Sequence, residues 1–206
     1  MEQQYILITS VGKTDPMRGG YDGPILHIVR NYKPKKVYLL LTSDIGEEEK
    51  KWGHNQKAIS LLGIECEIIP CFTGIVNPHS YDELMPVCGE WCKRIYQENE
   101  NSKFLLNITS GTPQLITTLA MIGMGSPGVF LPVQVSTPEK APNKASYFKP
   151  DEDTVEEWFE NNFDNIEDEE NRCTEPGLFN FRTPVIRFQI ESLIQNYDYS
   201  DGVDFP

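Results

Sequence analysis

Short runs rich in Val, Ile and Leu recur along the first two thirds of this sequence, and stretches with helical spacing of their apolar positions separate them. Residues 5–11, 36–42, 65–70, 103–107 and 128–135 are apolar almost throughout rather than alternating, the pattern of strands buried on both faces. Residues 21–31, 47–62, 80–97 and 113–124 read as the intervening helices. Asp22 stands as N-cap of the first, with Pro24 in its first turn. In the second, Trp52, Ala58, Ile59 and Leu62 face inward and Gly63 ends the element. Strands alternating with helices mean a parallel sheet covered on both sides. The expected fold is a doubly wound, Rossmann-like α/β domain with a mainly parallel sheet, spanning about residues 1–147.

Composition narrows the class further. No apolar stretch approaches the ~18 residues that a membrane span needs. The opening MEQQYILITS lacks the basic start of a signal peptide and runs straight into a strand, so cytoplasm is the expected compartment. The 5 cysteines are odd in number, irregularly spaced and without a CxxC pair, so they read as buried reduced thiols; neither metal nor cofactor is expected. The net charge of −13 is unevenly placed. Residues 1–149 hold 15 basic and 15 acidic side chains, whereas residues 150–206 hold 3 and 16. The first part can therefore host an anion locally, while the acidic tail opposes duplex nucleic acid.

These two parts are the expected domains: a ligand-binding domain over 1–149 and an acidic helical extension over 150–206. In the extension, Val155, Trp158, Phe159, Phe163 and Ile166 recur at helical spacing. One amphipathic helix results, serving either as a link to another module or as a cap on the first domain. A loop over 173–180 follows, then a helix capped by Thr183 with Pro184 at its first position.

In doubly wound sheets, ligands bind beyond the carboxyl ends of the strands. The loops after the first and fourth strands are chemically unusual. The first, Ser10-Val11-Gly12-Lys13-Thr14-Asp15-Pro16, is not a P-loop, because Leu7 stands where that motif needs its first glycine. It still offers backbone amides and Lys13 to a phosphate, and Asp15 can accept from a sugar or base. An ordinary polar turn is the bland alternative. The second loop runs from Asn107 through Thr109, Ser110, Gly111 and Thr112 to Pro113 and Gln114. Pro113 suits the first helical position and Thr112 the N-cap, so the free amides and positive dipole end of that helix make an anion site. Capping alone leaves Asn107, Thr109, Ser110 and Gly111 unexplained; a phosphodiester ligand accounts for them.

ILITSVGKTDP at the first strand, YDGPILHIVRNYKPKKVYLLLT after it, LLNITSGTPQLITTLAMIG at the fourth strand and, more weakly, VQVSTP after the fifth resemble one family. It is the CARF sensor domain (CRISPR-associated Rossmann fold) of the Csm-type ancillary ribonucleases of type III CRISPR systems. The resemblance covers residues 1–147. It implies a homodimer whose four loops form one pocket on the two-fold axis for a ring of 3′–5′-linked adenylates, with six members favoured over four. The implied ligand contacts are Val11, Gly12, Lys13, Thr14, Asp15, Tyr21, Asn107, Thr109, Ser110, Gly111, Thr112 and Gln114. Lys13 departs from the pattern, since relatives often carry a small or amide side chain there.

The resemblance also implies slow, metal-independent ring cleavage by in-line attack of a ribose 2′-OH. The scissile phosphate is expected near Thr112, with Ser110 and Lys13 supporting its charge, and Asp15 and Asn107 orienting ribose or adenine. The HEPN ribonuclease that such sensors activate needs an Arg four to six residues before a His. None of His27, His54 and His79 has one. A sensor belonging to a longer natural chain is therefore expected, with a stand-alone sensor as the alternative. Two other readings stay open: a sensor that binds without cutting, and an unrelated enzyme using a mononucleotide in the same crevice. His27 reads as a core histidine, and Trp52 and Trp91 as core or dimer contacts. His79 lies in a loop over 71–79 that could fold over the pocket, and Tyr21 could stack on adenine or pack inward.

Overall fold

A computed structural model describes residues 4–126, 128–139, 146–165, 170–177 and 179–195. The elements are β1 (Tyr5–Ser10), β2 (Met17–Arg18), β3 (Tyr21–Asp22), α1 (Pro24–Tyr32), β4 (Lys36–Leu41), α2 (Ser43–Trp52), α3 (His54–Leu61) and β5 (Glu67–Phe72). They continue with α4 (Tyr81–Glu98), β6 (Lys103–Asn107), α5 (Pro113–Gly125), β7 (Phe130–Val135), α6 (Val155–Glu160), β8 (Cys173–Thr174) and α7 (Phe179–Gln195). One sheet runs in the order β5-β4-β1-β6-β7-β8. Its first five strands are parallel and β8 is antiparallel to β7. The Rossmann-like expectation holds. The connections reverse direction at β1, with β4 on one side and β6 on the other, so the crevice predicted for ligands lies between the ends of β1 and β6.

The apolar runs form central strands because both their faces are covered. Leu7, Leu39 and Leu105 pack with Val29, Ile59 and Val155 on one side. Ile8, Leu40 and Leu106 pack with Cys92, Ile95 and Leu119 on the other. Each fully buried side chain of this kind contributes roughly 1.5–3 kcal/mol. The five thiols are free, as expected, and burial pushes Cys88 to about 11 and Cys92 to about 12.

Several expected elements differ. Residues 21–31 do not form one helix: Tyr21–Asp22 pairs with Met17–Arg18 in a hairpin, and α1 starts at Pro24. Asp22 is not the cap, because Arg30 holds its carboxylate from Nε at 2.7 Å and Nη2 at 3.1 Å. The helix expected over 47–62 begins earlier and breaks at Gly53, whose φ is +59°. Just beyond the break, the buried Glu49 carboxylate accepts from the Asn55 side chain at 2.9 Å and the Gln56 amide at 3.0 Å. The acidic helix after residue 150 is short, ending at Glu160, and a 3₁₀ turn follows at Phe163–Asn165. Ile166 lies outside the described residues.

The domain boundary also moves. The chain divides into Met1–Pro176 and Gly177–Pro206, so residues 150–176 belong to the first unit rather than to an extension. A buried charge cluster explains why. Arg172 donates to Asp164 Oδ2 at 2.6 Å, and its backbone amide donates to His27 Nε2 at 3.0 Å. Asn162 donates to Asp22 Oδ1 at 2.6 Å, and the Asp22 amide to Asp164 Oδ2 at 2.7 Å. His27 is thus the core histidine expected of it. Burial opposes ionisation of Asp22, yet hydrogen bonds from His27 and Arg30 hold its carboxyl below the usual range. Burial and the Asp22 charge raise Asp164. Asp22, His27 and Asp164 lie close enough to share a metal, but Arg30 and Arg172 already balance both carboxylates. In the second unit, α7 starts before Thr183 and carries Pro184 inside it; Phe188 and Ile190 are exposed.

Candidate functional site

Both unusual loops leave the carboxyl ends of neighbouring strands, and they touch. A Cβ on Gly12 would stand 2.5 Å from the Gly111 nitrogen, so these backbones meet at a separation that glycine alone permits. Gly111 itself has φ +104°, and a Cβ there would stand 2.6 Å from Ser10 Oγ. The Ser10 hydroxyl donates to the Ser110 carbonyl across the junction. The contact lies within one chain.

Several expected ligand contacts turn inward to hold this junction. Asn107 is fully buried; its Nδ2 donates to Thr9 Oγ1 at 2.9 Å and Ser110 Oγ at 2.8 Å, and its Oδ1 accepts from the Thr109 amide at 2.9 Å. Ser110 is equally buried, so its hydroxyl faces the loop interior rather than a phosphate. Asp15 accepts from the Gly12 amide at 3.0 Å and from the Ile25 amide at 3.1 Å, fixing the turn and capping α1 in place of Asp22. Burial raises the Asp15 carboxyl to about 6 against these amides and the Ser110 hydroxyl. The orienting role expected for Asp15 and Asn107 thus becomes support of the loop backbone. Tyr21 is buried against Phe163 at 5.2 Å, so packing rather than adenine stacking is its role. Thr109 Oγ1 accepts from the Val135 amide at 2.9 Å.

Other candidates stay near the surface. Lys13 is exposed; Gly12, Thr14, Gly111 and Gln114 are half-buried, and Val11 is buried beside them. Thr112 caps α5 as expected, accepting from the Leu115 amide at 3.3 Å, and it also donates to the Pro78 carbonyl at 2.6 Å. His79 Nδ1 lies 3.3 Å from Gln114 Oε1. The loop after β5 therefore arches onto the first turn of α5, as its position allowed.

Sequence reasoning overlooked Thr9, whose signal was polarity at the end of an apolar strand, and gave Ser10 no role in joining the two loops. It also overlooked a cleft of about 560 Å³ beside the first loop. Its lining joins Val11, Gly12, Lys13 and Asp15 to Ile45, Glu48, His54 and residues 147–151. No local pattern marks those residues as neighbours.

Touching glycine loops at the switch point of a Rossmann-like sheet mark the crevice where doubly wound domains take their ligands. The Cas_Csm6 CARF domain family matches residues 65–173, more than half of the chain, and the chain belongs to that family. The CRISPR system endoribonuclease Csm6 of Enterococcus italicus is 34% identical over 201 residues, covering 94% of this chain and 46% of that protein. Its counterpart in Mycobacterium tuberculosis is 34% identical over 202 residues, covering 96% and 48%. The solved structure of Enterococcus italicus Csm6 bound to cyclic hexa-2′-fluoro-hexa-dAMP matches with TM-score 0.79 and 30% identity, covering 97% of this chain and 49% of that one. The chain spans about half the length of the curated relatives it matches.

Proposed function

We propose that this domain binds a cyclic oligoadenylate, six-membered in preference to four-membered, as the sensor of a type III CRISPR ancillary ribonuclease. Two copies form a homodimer in the cytoplasm, their paired loops facing across a two-fold axis, and binding regulates a HEPN module of the natural protein. The observation that carries this reading is the Gly12–Gly111 junction, which sets Lys13, the first-loop amides and the α5 N-terminus beside one another. Family membership and the ring-bound relative support it.

The proposed chemistry is slow ring opening: a 2′-OH attacks the adjacent phosphate, the P–O5′ bond breaks, and a 2′,3′-cyclic phosphate and a 5′-hydroxyl result. Lys13 and backbone amides stabilise the charge, and Thr112 joins them once released from Pro78. Binding without cleavage is the second reading. It is favoured by the hydroxyls of Ser110 and Thr112, both already bonded within the chain. Calorimetry with cyclic tetra- and hexa-adenylate, followed by chromatography of the same samples, tests both. Submicromolar binding of the larger ring is expected; no heat with either ring removes the sensor reading. Ring recovered intact after prolonged incubation leaves binding and removes cleavage.

A further inference from the structure

The cleft beside the first loop has a composition that the fold does not require. Its volume of about 560 Å³ lies within the range of ligand sites. Ile45 and the ring of Phe148 give it apolar walls, and Tyr147 stands half-exposed at its edge. His54 is 6% exposed, its ring lies 5.6 Å from that of Phe148, and its Nδ1 is buried without a hydrogen-bond partner. Burial lowers the His54 pKa against the opposing charge of Glu49, whose Oε2 lies 3.6 Å from Nδ1. Lys149 is held by Glu152 at 2.7 Å, which leaves Lys13 as the cleft's cation without an ion pair among the described residues. The exposed carboxylates of Glu48 and Asp151 complete the lining.

We infer that this cleft takes one adenosine unit of the ring, the purine against Ile45 and Phe148 and its phosphate at Lys13. Flat aromatic and aliphatic walls suit a purine face. Ionised carboxylates accept hydrogen bonds and cannot donate them, so Glu48 and Asp151 favour the amino group of adenine over the carbonyl of hypoxanthine. The inference rests on the ring-binding reading and assigns the base-selecting part of the site, which the two glycine loops lack.

The test uses the whole chain with ¹³C-labelled isoleucine methyls and histidine rings. Adenosine 5′-monophosphate and inosine 5′-monophosphate are titrated by NMR, and cyclic hexa-adenylate by NMR and calorimetry. Ring and adenosine monophosphate are expected to shift Ile45 and His54, with inosine monophosphate about tenfold weaker, as expected when one hydrogen bond to a carboxylate is lost. Glu48→Trp, which fills the cleft from an exposed helix position, should abolish the monophosphate shifts and weaken the ring at least tenfold with unchanged circular dichroism. Ring heat with silent Ile45 and His54 resonances, or with full affinity in Glu48→Trp, overturns the cleft and leaves the sensor reading standing. Equal binding of both monophosphates overturns the base selection. No heat from the ring overturns the sensor reading and with it the assignment of the cleft to a ring unit.

Discussion

Gly12→Ala tests the junction of the two loops directly. The new methyl would stand 2.5 Å from the Gly111 nitrogen and 3.1 Å from its Cα, and ordinary contact begins near 3.4 Å. Both atoms are backbone, so no rotamer change relieves the clash. The loops must separate by about 0.9 Å, and the Ser10–Ser110 hydrogen bond spans that gap. Overpacking of this kind costs roughly 1–3 kcal/mol. For a chain of this size each kcal/mol lowers Tm by about 2–4 °C, which gives a fall of about 2–12 °C. Binding should suffer more than folding, because a displacement near 1 Å misplaces the amides and Lys13 together. Thermal unfolding followed by circular dichroism and calorimetric titration of the hexa-adenylate ring measure both, with at least a tenfold loss of affinity expected. A variant with unchanged Tm and unchanged ring affinity would show that the loops do not constrain one another.

Thr112→Ala should destabilise by about 1–2 kcal/mol, since it removes the helix cap, and the Pro78 bond goes with it; an unchanged urea midpoint refutes the capping role, and unchanged ring opening by chromatography removes Thr112 from catalysis. Asp15, raised to about 6, binds more protons folded than unfolded between its unfolded value of 3.8 and that point, so its contribution to stability falls as pH rises through this window. Asp15→Asn cannot titrate, and its stability relative to the natural chain should improve by up to about 3 kcal/mol from pH 4 to pH 7. Parallel urea curves with a constant difference would contradict the burial of that carboxyl. Arg172→Leu leaves Asp164 buried beside Asp22 without its cation and should destabilise by about 3–5 kcal/mol. Hydrogen exchange should then accelerate at Cys173 and Thr174, and native protection there would refute the clamp.

Much of the fold was legible because the central strands are buried on both faces. Lys36–Leu41 and Lys103–Asn107 read as strands wherever they pair, and Pro113 announced the start of α5. The misread elements depend on distant partners. Asp22 looked like a cap from its neighbours, but Arg30 and Asn162 claim its oxygens and Asp15 reaches Ile25 instead. The acidic helix after residue 150 carried the right apolar spacing, yet Asn162 and Asp164 are drawn into the charge cluster at β3 and α1. A pairing across 140 or more residues leaves no local trace.

The candidate site was legible in its position and less so in its roles. A polar side chain at the end of a buried strand can bind a ligand or hold the loop that does, and burial decides which. Asn107, Ser110 and Asp15 are buried and spend their polar atoms on Thr9, Asn107, Gly12 and Ile25. Their bonds fix the backbone around Gly12 and Gly111, while Lys13 stays in solvent. On the proposed reading, binding energy at this junction would come from backbone amides and the exposed Lys13, groups that suit phosphate without distinguishing bases. Selection among bases has to come from side chains elsewhere, and the cleft at Ile45, Glu48 and His54 borders the same loop. The two loops were written in two short motifs, whereas the cleft is assembled from segments that meet only when the chain folds.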